Sequence, residues 1–160
     1  MFEHLDHIGL EPVGFLSDLQ PLDETEVDEL RKQFPDCPDE YFAFLAERGA
    51  GELEEGLMFF FQNSPIDAEN DLFKDREIYK FGAKGPVKIF GDDGNETSYG
   101  FDTGADWGIV SVDSSRIVKH LSLSFVQFIE GLFVCYPDYP VSYDGGKWKV
   151  ATGEEYSLPS

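Results

Sequence analysis

The chain has 160 residues, 41% of them apolar and 15% aromatic, and carries 32 acidic against 12 basic side chains for a formal charge of -20. That aromatic content excludes a disordered chain, and the length suits a single domain that buries roughly two-thirds of its unfolded surface. The charge disfavours direct contact with nucleic acid or anionic lipid and suits a basic partner, although acidity also serves solubility alone.

Residues 1–20 scatter Gly9, Pro12 and Gly14 among apolar positions with no helical or strand period, and read as an arm or a short added strand. From Asp23 a helix is predicted, with Asp23 as cap, Glu26 answering it and Leu22 stapling onto Val27. Val27, Leu30 and Phe34 form its buried stripe, Arg31 and Lys32 suit its negative end, and Pro35 stops it. A second helix is expected to begin at Pro38, bury Tyr41, Phe44 and Leu45 on the side that also carries Arg48, and end at Gly49 in a left-handed conformation.

After Gly51 the chain turns to short β-like runs at 57–61, 78–81, 87–90, 97–101 and 109–112, with 67–74 as a short helix or loop. The breaks at Gly91-Asp92-Asp93-Gly94-Asn95 and Thr103-Gly104-Ala105-Asp106 predict an antiparallel meander over 87–112. Ser124 and Gln127 then form a capping pair for a strongly apolar helix, whose stripe is Phe125, Phe128, Ile129, Leu132 and Phe133. A hairpin is expected from 141–143 and 147–150 around Asp144-Gly145-Gly146, followed by a loose end. The fold class is α+β: helices on a mixed, largely antiparallel sheet. The divisions are an arm at 1–20, the main domain at 21–135 and a hairpin with tail at 136–160.

No run approaches the roughly 20 apolar residues of a membrane span, and no basic leader precedes an apolar core. Cys37 and Cys135 form no metal-type or redox-type doublet, so they read as buried thiols of a cytoplasmic protein.

Catalytic and cofactor signals are weak. Asp92, Asp93, Asn95 and Glu96 come nearest to a calcium loop, but Gly94 occupies a position where a ligand is needed, which favours a turn. His4, His7 and His120 lack further ligands, no serine sits in a nucleophile elbow, and neither cysteine has a base beside it. The glycines at 82, 85, 91, 94, 100, 104 and 108 match no phosphate-binding pattern and read as turns, so no cofactor is expected. A carboxylate-based hydrolase or a metal-binding enzyme has only the abundance of acids behind it.

Tyr99, Phe101 and Trp107 alternate with small or polar residues. Core is the commoner fate of strand aromatics, yet with Asp102 and Asp106 beside them they are the first choice for a contact surface. The full contact set is Glu52, Glu54, Glu55, Asp92, Asp93, Glu96 and Asp102 as electrostatic contacts, with Trp107 as anchor.

Three pieces in order carry a family resemblance: Pro38 through Leu45 with the helix's terminating Gly49, Ile89 through Asn95 with Phe101-Asp102, and Ser124 through Leu132. Together they resemble the SUKH superfamily, which includes the Smi and Knr fungal cell-wall regulators and many bacterial immunity proteins. The resemblance covers about residues 21–134. Arg48-Gly49-Ala50-Gly51 stands where the family often has Asn-Gly-Gly, and neither end of the chain has a clear counterpart. It implies an α+β fold without enzymatic activity that neutralises a toxin, often a nuclease, by binding it. A basic toxin domain is the expected partner, and a regulatory or scaffold protein of the same fold is the alternative.

Overall fold

A computed structural model describes residues 19–53, 59–71, 73, 77–136 and 138–158. Local chemistry sets the first two helices. The Asp23 side chain accepts the Glu26 amide at 2.8 Å while the Glu26 side chain takes the Asp23 amide, a reciprocal cap that opens α1 (Glu24–Gln33). Val27 and Leu30 are its buried face, and Leu22 packs on the same core. Pro38 is the cap residue of α2 (Asp39–Glu47) rather than its first helical position. Phe42 is buried in addition to the expected Tyr41, Phe44 and Leu45, because both flanks of α2 face protein. An ion pair between Arg31 and Asp39 closes the corner between the helices. Gly49 ends α2 at φ +105°, its amide reaching the Phe44 carbonyl at 2.9 Å.

Six strands form one antiparallel sheet in sequence order: β1 (Gly51–Glu52), β2 (Phe60–Asp67), β3 (Val87–Asp92), β4 (Ser98–Asp102), β5 (Gly108–Val112) and β6 (Val118–His120). The expected meander is present in β3, β4 and β5. The run at 78–81 is not a strand. It lies in a 3-10 helix (Glu77–Phe81) that buries Ile78, with the Ala83 amide bonded back to the Ile78 carbonyl. With the one-turn α3 (Ala68–Asp71) it covers a face of the sheet through Ala68, Phe73 and Ile78, packed on Val87, Ile89, Val110, Val112 and Val118.

The opposite face carries the larger core. Ser124 and Gln127 form a second reciprocal cap at the start of α4 (Phe125–Val134), whose buried rings meet Phe90, Tyr99 and Phe101 of the sheet. Glu40 of α2 accepts the Phe125 amide at 3.1 Å, placing a carboxylate at the positive end of α4. Cys37 and Cys135 are free and buried, the latter just past the end of α4.

Beyond α4 the chain forms a three-stranded antiparallel sheet from β7 (Pro140–Asp144), β8 (Lys147–Val150) and β9 (Glu155–Ser157). The hairpin is as expected, but the final segment pairs as β9 instead of being loose. All strand pairs are antiparallel, and the only parallel contact among the described residues is a bridge between Ser122 and Ser142 that joins the two sheets. Trp148 anchors the second sheet, donating from Nε1 to the Gln127 carbonyl at 2.7 Å. Gly131 of α4 lets it approach closely: a Cβ there would stand 2.7 Å from Pro140 and 2.8 Å from Trp148. Among the described residues no helix is long and apolar enough to cross a membrane.

Candidate functional site

The expected contact residues separate into two groups at opposite ends of β4. At one end lies the β3–β4 turn. Register places Glu52 across from Phe60 and Phe60 across from Asp92, so Glu52 reaches the same end, where it shares a shallow depression with Gly94. Asp92 accepts the Gly94 amide and Asp93 accepts those of Asn95 and Thr97, each at 2.9–3.1 Å, while Glu96 is exposed. These carboxylates shape the turn from within. Glu54 and Glu55 lie outside the described residues.

The other end, about 16 Å away along the five residues of β4, holds Asp102 and Trp107. Asp102 is not a contact residue, because its side chain has no exposed surface. Its carboxylate accepts the amides of Lys84 (2.7 Å), Gly85 (2.9 Å) and Gly104 (2.9 Å). His120 of β6 stands beside it, Nε2 at 3.6 Å from Asp102 and 2.9 Å from the Gly82 carbonyl. A carbonyl only accepts, so Nε2 carries the hydrogen. Gly85 and Gly104 meet backbone to backbone at this point, since a Cβ on either would lie 2.4 Å from the other's nitrogen.

Tyr99 and Phe101 are core rather than surface, facing α4 and its neighbours. Trp107 is half-buried, its ring 6.0 Å from Phe101, and with Asp36 and Asp106 it lines an open notch. Gly91 and Gly100 lie within strands instead of turns; each leaves room for a neighbour, the Phe59 ring and the Lys88 carbonyl.

A cleft of about 430 Å³ opens between the two sheets on the side of the β3–β4 turn. Asp93, Asp113 and Asp138 line it with Lys119, and Tyr99 and Tyr139 stack within it, their rings 6.0 Å apart and 27° from parallel. Cross-strand register aligns Tyr99, Ser111 and Lys119 in one row, which α4 covers only at the Tyr99 end. Burial, with Asp93 and then Asp92 adding repulsion, pushes the Tyr139 hydroxyl up to about 12. Tyr99 is raised as well, by burial first and then by Asp93 and Tyr139. The sequence reading did not single out Asp113, Lys119, Asp138 or Tyr139. Lys119 lies on β6, Asp113 in the β5–β6 turn, and Asp138 and Tyr139 in the segment between α4 and β7, and only the seating of the second sheet brings them together.

Among the described residues no group of His, Cys, Asp and Glu is arranged to hold a metal ion. No family model matches the chain, and no curated protein or solved structure is significantly similar to it.

Proposed function

We propose that this chain is a non-enzymatic protein-binding module of the immunity type, acting in the cytoplasm to neutralise a bacterial toxin domain, such as a nuclease, by covering its basic surface. One observation carries the reading: Glu52, Asp92, Asp93, Glu96, Asp113 and Asp138 gather at one end of the fold, against Arg116 and Lys119. A nuclease must be basic where it meets phosphate, and an acidic surface occupies such a site with fast, salt-sensitive association. The resemblance to the SUKH superfamily over residues 21–134 supports the same class of partner.

The test is a pull-down with tagged protein from native lysate at low and at moderate salt, with bound proteins identified by mass spectrometry. A basic toxin domain retained at low salt and released by salt is the expected result. Capture of host regulatory proteins alone would replace the immunity role with a regulatory or scaffold role.

A further inference from the structure

We propose that Asp144-Gly145, at the tip of the β7–β8 hairpin, is a site of spontaneous isomerisation to isoaspartate, and that the fold protects the chain's other Asp-Gly pair, Asp93-Gly94, from the same reaction. The chemistry needs no partner and stands apart from the protein-binding reading above.

The reaction uses only the chain and water. The Gly145 nitrogen attacks Cγ of the protonated Asp144 carboxyl, the new C–N bond closes a five-membered succinimide, and the carboxyl hydroxyl leaves with the amide proton as water. A second water then opens the ring. Cleavage of the Cγ–N bond restores aspartate, whereas cleavage between the nitrogen and the main-chain carbonyl carbon leaves the chain running through Cβ and Cγ, with a free α-carboxylate. The mass is unchanged. Glycine after the aspartate favours the closure, because it has no Cβ to block the nitrogen and a wide choice of backbone angles.

The chain holds two Asp-Gly pairs, at 93–94 and 144–145, and the structure treats them differently. In the β3–β4 turn Asp93 Oδ1 accepts the amides of Asn95 (2.9 Å) and Thr97 (3.1 Å), while the Gly94 amide, which would be the nucleophile, donates to Asp92 Oδ1 at 2.9 Å. Carboxyl and nitrogen are each fixed to another group, so ring closure there first needs a local opening of the turn. At the hairpin tip Asp144 and Gly145 are both exposed, and neither the Asp144 side chain nor the Gly145 amide makes a hydrogen bond or ion pair among the described residues. Asp144 pairs with Lys147, so the loop is Gly145-Gly146 alone, at φ +60° and +83°, and a Cβ on either glycine would meet nothing within 4 Å. Rotation in this open pair is all that brings the nitrogen onto Cγ. Isoaspartate there adds one main-chain atom beside a two-residue loop that sets the register of Tyr143 against Trp148.

The experiment ages the full chain at physiological temperature in mildly acidic buffer, folded and, in parallel, unfolded in guanidinium chloride. Peptide mapping with electron-transfer fragmentation then reads isoaspartate at each position over time. In the folded chain isoaspartate should accumulate at 144 at least about tenfold faster than at 93, the protection that one hydrogen bond to a charged group supplies against opening. In the unfolded chain, where neither turn is held, the two positions should convert at similar rates. Asp144→Glu alters only an exposed position and would need a six-membered ring, so it should remove the signal at 144 and leave that at 93 unchanged. Equal rates in the folded chain, or faster conversion at 93, overturn the assignment. The same ratio folded and unfolded overturns it too, since the difference would then lie in the neighbouring residues and not in the fold.

Discussion

Asp102 and Gly85 are joined by a 2.9 Å hydrogen bond from the Gly85 amide to a carboxylate with no exposed surface. The same anion holds the amides of Lys84 and Gly104, so the approach to β3 and the β4–β5 turn are fixed on one side chain. Asp102→Asn sets an NH2 group against amide donors and removes the charge. We expect a loss of about 3 kcal/mol, read as a fall of about 10 °C in thermal midpoint. A midpoint within about 2 °C of the parent would show that the anion is not what holds the two segments.

Gly104→Ala tests the same junction from the backbone side. The added methyl would lie 2.4 Å from the Gly85 nitrogen and from the Lys84 carbonyl group, which are main-chain atoms without rotamers to escape into. A destabilisation of about 2–4 kcal/mol is expected in urea unfolding. Gly145→Ala makes a useful contrast, since it meets nothing within 4 Å and carries only the strain of its φ of +60°.

Stability should decline at alkaline pH. Burial pushes the Cys37 thiol up to about 12, and burial with Asp138 does the same for Cys135, against 9.0 for a free thiol. The unfolded chain therefore loses these protons first. Their contribution is complete below about pH 9 and disappears as the pH rises toward 12. In the same way the native thiols should react with iodoacetamide at pH 8 only as fast as the chain opens. Rapid alkylation of the folded protein would contradict their burial.

Trp107→Ala should give a folded protein weakened by about 2 kcal/mol, because the ring is half-buried against Phe101 rather than enclosed. Its fluorescence would come from Trp148 alone, which is buried, so the emission maximum should shift to the blue. Loss of all near-ultraviolet dichroism would instead place Trp107 among the residues on which the fold depends.

What the sequence made legible is what neighbouring residues decide. Asp23 with Glu26 and Ser124 with Gln127 each lie three apart, and both caps formed. The meander over β3, β4 and β5 followed from turn residues between apolar runs. The 3-10 segment was misread because Ile78 and Phe81 fit a short strand as well as a turn, and the choice was made by the sheet face that Ile78 covers. β6 and β9 have three residues each, with mostly exposed side chains, too short and too polar for any period to register. Asp102 looked like a surface acid, since nothing adjacent to it announces the Lys84 and Gly85 amides arriving from earlier in the chain. The inter-sheet cleft was invisible for a related reason: Asp93 and Asp138 meet only after α4 has carried the second sheet into place.

The glycine at 131 brings β7 and β8 against the main chain of α4, with Pro140 and Trp148 occupying the space a side chain would take. The gap between the sheets is thus set from behind, by a missing methyl group in a helix that does not line the opening. Acids around the mouth can be exchanged without altering its width, whereas a larger residue at 131 would change the width and leave every acid in the sequence untouched. Fit and charge are governed by different parts of the chain, so a lineage can retune one while holding the other constant.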